Sequence, residues 1–200
     1  MKVSLTIRFF LVALISSLAT AFAQAQVPGD PYAKENAQIR ALVQSGNEKV
    51  RDKEYDGAIA DFTEAIKIAK DLPDMLRAGP YINRGLAYEK KGDLDAALED
   101  LNKAIKIQPD NVYAYNDRAV VHEKRNELAA AMADYSKAIK ISSNFAPAYR
   151  GRGLLLLKQG KDAEAEADFA KYDVLFPNAN AKDALEKQIR EVKEKRAVKP

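Results

Sequence analysis

From residue 33 almost to the end of the chain, apolar residues recur at the three-to-four-residue spacing of amphipathic helices, and that pattern itself repeats every 34 residues. Tyr81, Tyr115 and Tyr149 stand 34 apart, as do Gly85, Ala119 and Gly153. The same period relates Ala97, Ala131 and Ala165, then Leu101, Tyr135 and Phe169, then Ile107, Ile141 and Leu175. Pro109, Ser143 and Pro177 close the units. The spacing predicts two antiparallel helices per unit, the first broken at Gly92, Asn126 or Gly160 and the second running to the closing residue. Glycine after the first helix supplies the left-handed residue that turns the chain back. Asp110 and Asn144 stand where side-chain caps for the following helix are wanted. Three units fit well, over 78–111, 112–145 and 146–179, and an earlier one over 39–72 fits more loosely. Between them five extra residues, 73–77, predict a longer turn or an added helical turn.

Small residues mark where the paired helices cross. Gly46, Gly85, Ala119 and Gly153 hold one slot, and Ala58, Ala97, Ala131 and Ala165 the other. A large side chain there would separate the helices at a cost of about 1–3 kcal/mol. One pair cannot bury its apolar face alone, so neighbouring pairs must stack. Residues 180–199 read as a capping helix, with few apolar positions (Ala184, Leu185, Ile189, Val192) and a polar outer face.

A bulky residue, a small one, Ala, an aromatic or Leu, and Pro at this period resemble the tetratricopeptide-repeat family over about residues 39–179. The resemblance implies an all-α right-handed solenoid of antiparallel helix pairs. It also implies a scaffold that binds other proteins or peptides rather than an enzyme.

The first 23 residues differ from the rest. Lys2 and Arg8 precede an apolar run to Ala23, and Ala21-Phe22-Ala23 offers the small residues read by signal peptidase. This predicts a cleaved secretory signal, cut after Ala23 or Ala25, and a bacterial periplasmic or secreted location. A leader, 24–38, containing Pro28, Gly29 and Pro31, runs into the first helix. Removing residues 1–23 leaves 30 basic and 29 acidic side chains, so nucleic-acid binding has no electrostatic support. With no cysteine, an exported chain must be held by packing alone. The run before Ala23 is shorter than a bilayer span, so no membrane insertion is expected after cleavage.

Little in the chain points to chemistry. The single histidine, His122, occupies the slot of Tyr88 and Leu156, which faces the core. No cysteine accompanies it, and no carboxylate cluster has the look of a metal site; neither metal nor cofactor is expected. Gly151-Arg152-Gly153 and Gly160-Lys161 have the wrong spacing for a phosphate loop and fall on a helix. The glycines are attributed to repeat positions, and no catalytic residues are assigned.

Charge also recurs in phase. Asp61, Asp100, Asp134 and Asp168 precede the aromatic position, and Arg84, Arg118 and Arg152 precede the small one. Such residues predict a structural ion-pair ladder, with Asp100 bound either to Arg84 within one repeat or to Arg118 between repeats.

In tetratricopeptide proteins the ligand usually lies in a concave groove lined by the first helix of each repeat. Carried onto this chain, the resemblance assigns Asn47, Val50 and Arg51 from the first repeat and Ile82, Asn83, Leu86, Glu89 and Lys90 from the second. It assigns Tyr113, Asn116, Asp117, Val120, Glu123 and Lys124 from the third, and Arg150, Leu154, Leu157 and Lys158 from the fourth. One subtype grips the terminal carboxylate of chaperone tails with basic residues. Here Val43, Tyr113 and Asp117 stand in the basic places and only Asn47 and Asn83 are kept, so that activity is not carried over. Two alternatives stay open: a structural subunit of an envelope or secretion assembly, and a carrier of small ligands or cell-wall fragments anchored by Tyr113, Asn116 and Arg150. The basic C-terminal stretch, Lys187 to Lys199, reads as a solvated face or a contact for an acidic partner or membrane surface.

Overall fold

The computed structural model describes Gly29 and residues 31–197; the predicted signal peptide, most of the leader and Lys199 lie outside the described residues. All the regular structure described is helical. The helices are α1 (Ala33–Arg51), α2 (Tyr55–Ala69), α3 (Asp74–Lys91), α4 (Leu94–Ile107) and α5 (Val112–Lys124). They continue as α6 (Leu128–Ile141), α7 (Ala146–Lys158), α8 (Asp162–Leu175) and α9 (Ala179–Ala197). The first eight form four pairs, each packed on the next, and α9 lies chiefly against α7.

Every pair turns on a left-handed residue at the same place: Lys53 at φ 65°, Gly92 at 95°, Asn126 at 61° and Gly160 at 80°. Lysine is the costly choice there, because its Cβ crowds the backbone. The extra residues before the second pair become the opening turn of α3. The caps differ from expectation. Asn111, one residue past Asp110, accepts from the amides of Tyr113 and Ala114. α7 starts without a side-chain cap, and Asn144 instead accepts from the Ser142 hydroxyl. Asp93 caps α4 by accepting from the Ala96 amide.

The four alanines at the helix crossings are fully buried. Opposite them the glycines are there for space: a Cβ on Gly46 would stand 2.5 Å from Phe62, and one on Gly153 2.6 Å from Phe169. Gly85 faces the smaller Leu101 at 3.1 Å. Tyr135 lies against Gly151 of the next pair, whose Cβ would meet its hydroxyl at 2.7 Å. Gly151 is therefore a packing residue across the pair boundary. The core is a chain of small clusters, one within the first pair and the others joining a pair to its neighbour. Ala87 packs with Ala58 and Phe62, Val121 with Ala97 and Leu101, and Leu155 with Ala131 and Tyr135. These residues of α3, α5 and α7 are the stacking contacts, at a slot the repeat pattern alone did not single out.

Candidate functional site

The first helices α1, α3, α5 and α7 carry the residues of the candidate groove, and the ion-pair ladder sets their spacing. Arg84 donates to both oxygens of Asp100 (2.7 and 2.8 Å), Arg118 to both of Asp134, and Arg152 to both of Asp168 (2.8 Å each). The carboxylates pair within a repeat; the register joining Asp100 to Arg118 is not formed. The remaining amino group of each guanidinium reaches back to the preceding pair: Arg84 to Thr63 (2.9 Å), Arg118 to Asn102 (2.6 Å), Arg152 to Ser136 (3.3 Å). Each arginine thus ties the two helices of its own pair to the pair before it, with its planar fork filled on three sides. Its partner aspartate raises its pKa further. Tyr81, Tyr115 and Tyr149 lie 5.8, 5.4 and 5.9 Å from the guanidiniums. In the first pair Ser45 stands at the arginine position, and Asp61 accepts from Ser45 (2.7 Å) and Lys49 (2.6 Å) instead. Burial pushes Asp61 up, but those two bonds outweigh it and leave its pKa below the ordinary value.

A second ladder runs along the first helices and was not legible as pairs in the sequence. Glu89 stands 2.6 Å from the Lys124 ammonium of the next repeat, and Glu123 accepts from Lys158 of the repeat after that at 2.8 Å. Glu89 is 2% exposed, with Lys90 also 3.3 Å away, and neither ammonium is aligned as a hydrogen-bond donor to it. Glu123 in addition accepts from the Tyr135 hydroxyl at 2.7 Å. Burial and the Glu123 charge push the Tyr135 pKa up, keeping the phenol protonated as a donor.

Between α3 and α5 these residues enclose a pocket of about 200 Å³ lined by Leu86, Leu101, Val120, Val121, Glu89 and Asp117. Asp117 accepts from the Asn116 amide at 3.1 Å and has no ion-pair partner among the described residues. Burial pushes its pKa up to about 6, with the Glu89 charge adding to the rise while Asn116 and Lys90 oppose it. Leu86 and Val120 are half-buried, Ile82, Asn83 and Asn116 likewise, and Asn47 is exposed. Tyr113 is 60% exposed and meets Phe145 edge-on at 5.2 Å.

At the fourth repeat α9 takes the place that the next first helix holds at the earlier pairs. Leu157 is 1% exposed and belongs to the core with Leu185, while Leu154, Ile189 and Val192 pack around it. Arg150 donates to Gln188 of α9 at 2.7 Å. Arg196 donates to both oxygens of Asp162 and, at 2.9 Å, to the Leu157 carbonyl. Arg150, Leu154 and Leu157, assigned to the groove on resemblance, are therefore contacts of the capping helix. The sequence left partial cover of Leu154 and Leu157 by the capping helix as an open alternative, because nothing in the repeat pattern says whether α9 sits on α7 or on α8. The small-ligand alternative loses Arg150 as an anchor. The remaining basic residues Lys187, Arg190, Lys193 and Lys195 are exposed.

His122 is half-buried, its Nδ1 2.6 Å from Glu127 and its Nε2 3.7 Å from Asp134. It is a polar bracket on the ladder rather than an apolar filler. None of the described helices is long and apolar enough to cross a membrane.

Residues 79–111 match the tetratricopeptide repeat family, and residues 124–160 match the TPR repeat family. Over 84 residues the chain is 34% identical to sperm-associated antigen 1 of Rattus norvegicus; the match spans 42% of this chain and 9% of that protein. Among solved structures, MamA superposes with a TM-score of 0.57 at 24% identity, covering 73% of this chain and 80% of its own, a likeness of fold. The first TPR of Spaghetti (RPAP3), solved with the HSP90 peptide SRMEEVD, superposes with a TM-score of 0.51 at 26% identity, covering 57% of this chain and 92% of its own.

Proposed function

We propose, from the premise that the chain is a tetratricopeptide-repeat protein, that it is an exported, non-catalytic scaffold of the cell envelope holding a protein or peptide partner on the open face of α1, α3 and α5. The observation that carries the reading is the half-buried pair Leu86 and Val120 over a pocket between neighbouring first helices, framed by charged residues. An apolar centre with a charged margin is the anatomy of a protein-binding surface. The pocket, at about 200 Å³, is below the roughly 300–1,000 Å³ of small-molecule sites and fits a side chain of a larger partner. The similar Spaghetti (RPAP3) repeat, solved bound to a peptide, supports a peptide partner. Export rests on the basic, apolar, Ala-x-Ala opening of the sequence. The ladder of three-way arginines makes the face rigid, so that binding costs little ordering.

A double substitution, Leu86→Arg with Val120→Arg, tests the reading. The tagged wild-type chain should retain a discrete protein on affinity capture from its own host, and the variant, with an unchanged circular dichroism spectrum, should lose it. Equal retention by both would refute the open face as the binding surface.

A further inference from the structure

The pocket between α3 and α5 is apolar in its substance, with half-buried Leu86 and Val120 above fully buried Leu101 and Val121, and it carries two acids, Glu89 and Asp117, in its wall. Glu89 lies against the ammoniums of Lys124 (2.6 Å) and Lys90 (3.3 Å). Asp117 accepts from the Asn116 amide at 3.1 Å and feels the charges of both Glu89 and Lys90. With both acids ionised, Glu89 and Asp117 are balanced by Lys90 and Lys124, so the pocket holds no excess of either sign to draw in a charged side chain. Beyond its wall, Tyr135 of α6 feels Asp117 together with Glu123 of α5 and Arg150 of α7. There Glu123 is matched by Lys158, and Arg150 is held by Gln188. The setting favours the neutral form of Asp117: burial raises its pKa to about 6, against the pull of Asn116 and Lys90. An apolar group seated in the pocket takes more water from the same carboxyl and raises that value further, so its entry is coupled to proton uptake.

We propose that this pocket receives a neutral apolar side chain of the partner and that Asp117 takes up a proton as it enters, so that the partner binds more tightly at acidic than at neutral pH. At about 200 Å³ the pocket has room for a single side chain, and Leu86 and Val120 supply its contact. A charged side chain of either sign would instead upset the balance of Glu89 and Asp117 against Lys90 and Lys124. The inference rests on the proposed protein-binding role of this face; it names the side chain the face selects and the condition that strengthens its hold.

The test uses the full chain, with N-acetyl-leucinamide as a neutral probe and N-acetyl-lysinamide as a charged one. Each is titrated at about pH 5 and about pH 7.5 and read from the NMR methyl shifts of Leu86 and Val120. The expected result is saturable binding of the leucine probe, at least fivefold tighter at the lower pH. The limit is about thirtyfold, set by the protonated fraction of unoccupied Asp117 at the two values. Asp117→Asn, neutral throughout, should bind the leucine probe equally at both, and Val120→Ala should weaken it at both. Equal affinity of the wild type at the two pH values, with Val120→Ala still weakening it, would overturn the proton uptake while leaving the protein-binding face intact. A pH dependence that survives in Asp117→Asn would overturn the role of Asp117, and tighter binding of the lysine probe would overturn the neutral occupant. Absence of saturable shifts would overturn the proposal as a whole. Failure of the Leu86 and Val120 capture experiment alone would remove the wider reading.

Discussion

Asp117 makes the energetic cost of the open face measurable. Its pKa is raised from 3.8 to about 6, chiefly by burial. Between those values the folded chain holds more protons than the unfolded chain, so this group makes stability fall as pH rises through about 4–6. Above pH 6 the ionised carboxylate carries its full penalty, about 2 pK units at 1.36 kcal/mol each, or about 3 kcal/mol. Asparagine at 117 is neutral at every pH and still accepts the bond from Asn116. Asp117→Asn should therefore match the wild type near pH 3.5 and exceed it by about 3 kcal/mol at pH 8, with most of the divergence between pH 4 and 6. Glu89, Lys90 and Lys124 act on one another alike in both proteins, and the effects of Glu89 and Lys90 on the Asp117 charge are already contained in its shift. Urea unfolding followed by far-ultraviolet circular dichroism at steps of half a pH unit reads it directly. A stability difference that is constant across pH, or of opposite slope, would refute the claim that Asp117 is a half-buried acid whose ionised form the fold disfavours.

The arginine ladder gives a second expectation: Arg118→Leu, which strands the Asp134 carboxylate at 8% exposure, should cost about 3 kcal/mol. Adding Asp134→Leu should recover most of that in thermal melts. Gly46→Ala, driven against Phe62 at 2.5 Å, should destabilise by about 1–3 kcal/mol, whereas Gly85→Ala, facing Leu101 at 3.1 Å, should be nearer neutral. Leu185→Ala, at 3% exposure, should loosen α9 by about 2–4 kcal/mol and raise amide exchange across 179–197 and at Leu157.

The solenoid was legible because its signal is periodic: a small residue opposite an aromatic or leucine every 34 positions admits few other packings. The left-handed turns at Gly92, Asn126 and Gly160 were readable for the same reason, while Lys53, with no sequence signature for positive φ, was not. Ladder membership was visible in the phased Asp and Arg residues, but both pairing registers satisfied the sequence. Only the structure shows that one guanidinium serves two pairs by reaching Thr63, Asn102 or Ser136 with its third donor. The groove was legible as positions and not as surface. Leu154 carries the same repeat number as Leu86 and Val120, and its contact with the capping helix's cluster depends on where a terminal helix with weak periodicity comes to rest. Asp117 reads in sequence as a polar margin residue; that it forms no ion pair among the described residues emerges only once Lys90 and Lys124 are seen against Glu89.

The central claim is that a partner is held on the face of α1, α3 and α5. In-cell photo-crosslinking measures that most directly, with the probe placed at Leu86, Val120 or Lys103 in turn. The account predicts one discrete intermolecular adduct shared by Leu86 and Val120 and none from exposed Lys103 on α4. An adduct from Lys103 with silence at Leu86 and Val120 would contradict it and make the chain a structural brick joined through its second helices.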